Sequence, residues 1–301
     1  MNLIRDVLAQ FRYRWLRKYK SLAGSNLKRN ATAITEKQWL QRDVLERQKH
    51  PLPGQLIVNL TSFPDRFPTL HLTLKSLLLQ SVQADKVILW LYESDIKKLP
   101  QSIVSLQKSG LTIAPVSTDT RSYKKLIPAL ENYPNAFHVT ADDDIYYRPD
   151  WLSTLTSAYT GNNREILCWR AHYLRQTKTG HIKPYRQWYP KSEVRGPDPN
   201  LFFTSGAGVL FPPGCFDERV TDQTLALSLA PYADDLWWFW LASMNSCIIR
   251  RVGNNPKLIN WKGSGGNSLW QFNKRDNGGN DAQLHTLLSH FGLPPTLEDK
   301  G

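Results

Sequence analysis

The chain alternates between apolar runs short enough for strands and stretches whose leucines recur every three or four residues. Gln55–Leu60 is apolar, with Pro51-Leu52-Pro53-Gly54 before it and Thr61-Ser62-Phe63-Pro64-Asp65-Arg66 after it. Leu70, Leu74, Leu77 and Leu78 then fall on one side of a helix. Lys86–Tyr92 is nearly continuously apolar, as a parallel strand buried on both faces should be. A helical region follows over Asp95–Lys108, then a third strand, Leu111–Val116. A helix over Ser122–Asn132 carries Tyr123, Leu126, Ile127 and Leu130 on one side, and Ala136–Ala141 is the fourth strand. Strands and helices at this spacing predict a doubly wound, mostly parallel α/β sheet of the Rossmann type with flanking helices.

Past Asp150 the rhythm changes. The pattern predicts a short helix, Trp151–Tyr159, a strand, Ile166–Arg170, and a polar stretch to Pro199. Leu201–Phe211 reads as one strand interrupted by small residues, Ala233–Ala242 as an acidic start to an aromatic helix, and Ala282–His290 as a helix. The domain division that follows is residues 1–50, a basic helix and linker, and residues 51–301, a globular domain with halves 51–150 and 151–301.

Near the start, Ile4, Val7, Leu8, Phe11 and Trp15 follow helical spacing, and basic residues fill much of the rest of 2–20. The net charge is +12, and residues 1–30 hold eight basic residues against one acid, Asp6. More than half the surplus is therefore local. A basic amphipathic helix bearing Trp and Phe fits an anionic membrane surface; packing on the domain or on a second subunit is the alternative. A nucleic-acid-binding fold would spread its basic residues over a face of the core, so no nucleic-acid partner is expected. Residues 21–50 read as a polar, partly helical linker. Three widely spaced cysteines, Cys168, Cys215 and Cys247, suggest no disulfide framework and point to a reducing compartment. No apolar run reaches transmembrane length. A cytoplasmic protein, peripheral on the inner face of the cell membrane, is expected.

The fourth strand ends in Asp142-Asp143-Asp144. Carboxylates this close repel, and one pKa should rise unless a cation is present. A hard divalent cation removes that cost, and substrate phosphates can fill its open positions. Strand ends are also where open α/β sheets bind ligands. A metal–diphosphate site is thus predicted here, against a solvated acidic turn as the plain alternative.

Four features in order resemble the nucleotide-sugar-dependent glycosyltransferases of the GT-A fold, of a family-2-like bacterial type. They are Thr61-Ser62-Phe63-Pro64-Asp65-Arg66, the Asp142-Asp143-Asp144 run (similar to the DXD motif), the Gly206-Ala207-Gly208-Val209 segment, and Ala233-Asp234-Asp235 at the head of the aromatic helix. The resemblance covers about residues 55–290. It implies Mn²⁺ or Mg²⁺, with Asp144 as direct ligand and Asp142 sharing the metal or lying nearer the ribose. Asp143 completes the run, which is one aspartate longer than that motif needs. Asp235 or Asp234 would be the base of an inverting transfer, with Asp235 favoured; an Asp before a helix is also a favoured cap. Thr61 and Phe63 sit where the nucleobase is expected, and Arg66, Lys124 and Lys125 are phosphate or nucleotide candidates.

Further residues carry open readings. Trp237 or Trp238 could stack on an acceptor sugar, and both could be core. Lys262–Asn267 could order over the donor or be a plain loop. His138 and His285 are lesser candidates. The function implied is transfer of a sugar from a nucleotide diphosphate donor, a UDP-sugar above all, to a hydroxyl of a surface glycan or lipid-linked oligosaccharide. The alternatives are a nucleotidyltransferase, whose usual Gly-rich loop is replaced here by Thr-Ser-Phe-Pro, and an inert carbohydrate-binding or scaffold subunit.

Overall fold

The computed structural model describes residues 26–44, 46–253, 257–264 and 279–298. The basic helix expected over residues 2–20 lies outside them. Apart from a two-residue parallel pairing of Gln48–Lys49 with Val82–Gln83, the strands in chain order are β1 (Leu56–Thr61), β2 (Lys86–Tyr92), β3 (Leu111–Val116), β4 (Phe137–Thr140) and β5 (Glu165–Cys168), then β6 (Ala171–Tyr173), β7 (Leu201–Phe203), β8 (Val209–Phe211) and β9 (Ile248–Arg251). Seven of them form one sheet in the order β9-β5-β8-β4-β1-β2-β3, and β6 pairs with β7 as a separate antiparallel ribbon. Among the described strands of the large sheet, β8 is the antiparallel one, set between β4 and β5. The α/β class and the mostly parallel sheet agree with the sequence pattern.

Flanking helices are α1 (residues 26–40), α2 (Phe67–Leu78), α3 (Ile127–Asn132), α4 (Trp151–Ser157), α5 (Gln223–Leu229), α6 (Asp234–Met244) and α7 (Asn280–Phe291). Period-two alternation divides the strands between two cores. Leu56, Val58 and Leu60 of β1 meet Leu70, Leu74 and Leu77 of α2 on one face. Ile166 and Cys168 of β5 and Val209 and Phe211 of β8 meet α6 on the other. Trp237, Trp238, Phe239 and Trp240 are all fully buried there, so α6 is apolar nearly all round, as a core helix must be. Full burial of each such side chain is worth about 1.5–3 kcal/mol or more. Cys168, Cys215 and Cys247 are buried and free.

Several elements differ from the sequence pattern, each for a local reason. The helix expected over Asp95–Lys108 is two single turns, Glu93–Ile96 and Gln101–Val104, running into a 3₁₀ stretch. Pro100 stands between the turns and cannot donate an intrahelical bond. Ser122–Asn132 divides into a 3₁₀ segment, Arg121–Lys125, and α3, because Pro128 suits a first helical turn and not an interior. The strand expected over Leu201–Phe211 is two, β7 and β8, in different sheets, with a 3₁₀ corner at Ser205–Ala207. Residues 26–40, within the stretch expected as a partly helical linker, form the helix α1, which docks on the body rather than standing off it. Leu27 and Ala31 pack beside Leu72, Tyr146, Ile259 and Trp261, and Glu36 bonds Lys75 of α2 at 2.7 Å. No helix among the described residues is long and apolar enough to cross a membrane.

At the corner Gly208 has φ +108°, and a Cβ there would stand 2.3 Å from the indole nitrogen of Trp151. Gly214 also has positive φ (+70°), with open space around it. Gly208→Ala should therefore lower stability by about 2 kcal/mol or more, combining backbone strain with overpacking, whereas Gly214→Ala should cost only about 1 kcal/mol. Urea denaturation of both variants checks the difference.

Candidate functional site

Register places the site. β1 and β4 run parallel with Asn59 opposite Thr140, so their carboxyl ends finish side by side. β8 runs the other way with Val209 opposite Thr140, so the Ser205–Ala207 corner that feeds it sits over the same end. Asp142, Asp143 and Asp144 leave β4 at this junction. Tyr147 pins them: its hydroxyl accepts from the Asp142 amide at 2.7 Å and donates to the Gly206 carbonyl at 2.8 Å. A Cβ on Gly206 would stand 2.0 Å from Asp142 Oδ2, so the close approach of corner to carboxylate requires glycine.

The three aspartates have different surroundings. Arg66 Nη1 donates to Asp144 Oδ2 at 2.7 Å, and Asn260 Nδ2 donates to the same oxygen at 3.0 Å. Burial and the neighbouring Asp142 together raise the Asp144 pKa. Asp143 turns inward and accepts from Ser62 Oγ at 2.5 Å. Withdrawal from water outweighs that bond and pushes its pKa up to about 7. Asp142 is the most open, with 40% of its side chain exposed, and its Oδ1 meets Lys125 Nζ at 3.1 Å.

Lys125 is buried. Its ammonium also donates to Ser205 Oγ at 2.8 Å, approaches Asp234 Oδ2 at 3.2 Å and sits over the Trp238 ring at 5.3 Å. Burial alone would drive its proton off, but Asp142, Asp234 and Asp235 hold the pKa above that of ordinary lysine. Asp234 and Asp235 open α6. Burial raises both pKa values, and their mutual repulsion helps to push Asp235 up to about 7. Asp234 faces Lys125, whereas among the described residues Asp235 accepts only the Ser205 amide, at 3.1 Å on Oδ1. No side-chain cap bond is made at this helix start, so neither aspartate is there as an N-cap.

A cavity of about 600 Å³ opens between these groups and the β6–β7 ribbon. Its wall includes Lys125, Asp142, Asp234 and Asp235 at one end and Arg170, His172, Tyr185, Arg186 and Lys191 at the other. Sequence reasoning did not single out these ribbon-side residues, treating the region to Pro199 as merely polar. The signal was the density of aromatic and basic residues between Arg170 and Lys191.

The remaining predicted residues divide. Thr61 stands at the tip of β1 with its hydroxyl donating to the Trp90 carbonyl at 2.7 Å, and Phe63 lies 5.8 Å under the Arg66 guanidinium. Lys124 turns away from Lys125 and pairs with Asp119 at 2.5 Å, outside the cavity wall. Trp237 and Trp238 are both core; Trp237 Nε1 donates to the Val220 carbonyl at 3.0 Å. His138 is a core histidine, held between Asn59 and the Tyr133 carbonyl, and burial lowers its pKa to about 4. His285 is exposed on α7. Of the segment Lys262–Asn267, only residues 262–264 are described, and Ser264 bonds the Trp261 carbonyl at 2.9 Å.

Among the described residues no group of three or more His, Cys, Asp or Glu side chains gathers to hold a metal. A hard divalent ion shared with substrate phosphates needs only one or two carboxylates. Asp142 and Asp144 meet that requirement. Asp142 uses Oδ1 for Lys125, and Asp144 uses Oδ2 for both Arg66 and Asn260, so each keeps one oxygen without a described hydrogen-bond partner. Their mutual repulsion is what a cation between them would relieve.

Lys125→Met should lower stability by roughly 2–3 kcal/mol, at the low end for a broken buried pair because Asp142 is partly open to water. Adding Asp234→Asn should recover part of that loss by removing the stranded buried charge. Urea melts of the single and double variants give the measurement.

No family model and no curated protein matches the sequence. Solved structures with a similar chain path include S. aureus TarS 1–349 (14% identity, TM-score 0.44, covering 69% of this chain and 60% of that one). A second is the mannosyltransferase PcManGT from Pyrobaculum calidifontis in complex with GDP-Man and Mn²⁺ (11%, 0.44, 85% and 71%). A third is glucosyl-3-phosphoglycerate synthase from Mycobacterium tuberculosis in complex with Mn²⁺, UDP and glucosyl-3-phosphoglycerate (16%, 0.30, 38% and 43%). The chain thus spans 60% of the length of TarS 1–349.

Proposed function

We propose that this chain is a GT-A-type glycosyltransferase that moves a sugar from a nucleotide diphosphate donor, a UDP-sugar, to a hydroxyl of a glycan acceptor with inversion. The observation that carries this reading is the meeting of two acidic groups on one cavity. The Asp142–Asp144 tip of β4 and the Asp234–Asp235 head of α6 are joined by the ammonium of Lys125. Transfer with inversion needs these two chemistries close together: charge neutralisation on the leaving group and a base for the incoming hydroxyl.

Asp142 and Asp144 would hold Mn²⁺ or Mg²⁺, which supplies Lewis-acid neutralisation of the departing nucleoside diphosphate. Arg66, beside Asp144, adds a fixed positive charge at the same strand end, near Thr61 and Phe63. Asp235 is the base. Its Oδ1 is oriented by the Ser205 amide, so the acceptor proton goes to Oδ2 as the hydroxyl oxygen attacks the anomeric carbon. A carboxylate poised near pH 7 is well matched to that task. Asp234, neutralised by Lys125, serves as a positioning residue. Attachment to an anionic membrane surface through residues 2–20, on the cytoplasmic face, belongs to the same proposal and would bring the site to lipid-linked acceptors.

Incubation with a panel of UDP-sugars should release UDP in the presence of acceptor; release of pyrophosphate would instead assign nucleotidyl transfer. EDTA should abolish turnover and Mn²⁺ restore it, and metal-independent transfer would remove the role given to Asp142 and Asp144. Asp235→Asn should lower kcat by about 10²–10⁴-fold. The base must be ionised to accept a proton, and its pKa is raised to about 7. Wild-type kcat/KM should therefore fall about tenfold per pH unit below that value and level off above it, and in Asp235→Asn this limb should vanish.

A further inference from the structure

We propose that the ribbon side of the cavity is an acceptor subsite for an anionic group, a phosphate or carboxylate carried by the glycan. The inference rests on the glycosyl-transfer reading for the word acceptor, but the subsite itself is argued from charge and geometry alone.

Charge is unevenly spread around the cavity, with Arg170 at the boundary between an acidic and a basic end. At the strand-tip end, five carboxylates from Asp142, Asp143, Asp144, Asp234 and Asp235 surround Lys125 and Arg66. At the ribbon end, the described wall residues include the cations Arg170, Arg186 and Lys191 and one acid, Asp281. Arg186 Nε stands 3.9 Å from Asp281 Oδ2, and Asp281 Oδ1 accepts from the Tyr185 amide. His172 adds no charge: burial and the nearby Arg170 lower its pKa to about 4.

Arg170 anchors this end. Its Nε donates to Thr204 Oγ1 at 2.8 Å, which fixes the plane of the guanidinium. Among the described residues no carboxylate lies within ion-pair distance of it; burial lowers its pKa, and the longer-range attraction of Asp235 and Asp142 offsets only part of that. A guanidinium withdrawn from water with no carboxylate in contact is costly. The same group offers a bidentate fork matched to phosphate or carboxylate. Lys191 is held at the rim in a left-handed backbone conformation, φ 53°, with its amide donating to His172 Nδ1 at 3.1 Å. Such strain in a non-glycine residue persists only where the surroundings impose it.

Position supports the assignment to acceptor. Thr204, which orients Arg170, directly precedes Ser205, whose amide orients Asp235. An anion on Arg170 would thus present a neighbouring hydroxyl to the base. Donor phosphates belong at the opposite end, beside Arg66 and the β4 tip.

Ligand-observed NMR titration of the full chain with glucose 6-phosphate, glucuronate and glucose tests the proposal, with and without UDP and Mn²⁺. At least one anionic sugar should bind in saturable fashion while glucose does not, and the better of the two identifies phosphate or carboxylate as the group read. Arg170→Gln should weaken that binding about tenfold or more, as expected for loss of a charged hydrogen-bond donor. The exposed pair Arg186→Gln with Lys191→Gln, which cannot disturb the core, should weaken it as well. The proposal is overturned by no binding of either anionic sugar, by glucose binding equally well, or by indifference to both variants. It is also overturned if UDP displaces the anionic sugar, which would assign these cations to the donor. Failure of UDP with Mn²⁺ to bind at all, beside intact anionic-sugar binding, would sink the glycosyl-transfer reading and leave the subsite standing.

Discussion

The ammonium of Lys125 is the interaction on which the site depends. A buried lysine normally sheds its proton, because burial penalises the charged form. Here the carboxylates of Asp142, Asp234 and Asp235 reverse that tendency and keep the charge in place. The same contacts tie the tip of β4, the corner before β8 and the first turn of α6 to one point. None of the three segments is adjacent in sequence. Without the cation, acidic groups from two elements would face each other across a desolvated gap. With it, repulsion is reduced but not removed, and what remains adds to the larger effect of burial in raising the pKa values of Asp143, Asp144 and Asp235.

Topology delivers those segments. A fully parallel sheet would send the chain away from the strand tips after each strand. The antiparallel insertion of β8 between β4 and β5 brings the Ser205–Ala207 corner back over the carboxyl end of β4. That return demands small residues: Gly206 clears Asp142, and Gly208 clears Trp151. The glycines that interrupt an otherwise strand-like run are therefore the places where backbone meets site.

Much of this was legible in the sequence, unevenly. The four parallel strands from Gln55 to Ala141 and the aspartates at their end follow from apolar runs and punctuation, because strand burial leaves a strong pattern. The aromatic helix was equally legible, but the role of its tryptophans was not, since a continuously apolar helix gives no face to distinguish core from ligand wall. The Lys124-Lys125 pair illustrates the limit more sharply. Adjacent lysines look equivalent in sequence, yet the 3₁₀ segment points one to Asp119 at the surface and the other into the site. The ribbon of β6 and β7 was only half legible: β7 fell inside the strand read over Leu201–Phe211, but β6 and its pairing with β7 were missed. Its strands are three residues long, too short for alternation to register, and its contribution to the cavity depends on a pairing between segments about 30 residues apart.

The inequality between Asp234 and Asp235 follows from the same geometry. Both begin α6, both are desolvated, and each raises the cost of ionising the other. Lys125 approaches only Asp234, at 3.2 Å, so that carboxylate is the natural seat of the negative charge shared by the pair. Among the described residues Asp235 receives a single amide hydrogen bond, which orients Oδ1 without neutralising it. One aspartate is thereby committed to structure, and its neighbour is left basic enough to take a proton near neutral pH. An identical dipeptide on a solvent-facing helix start would show no such division, because water would screen the repulsion and no buried cation would choose between the two. The raised pKa on which the proposed base role rests is a property of the enclosure around Asp235 more than of the residue itself.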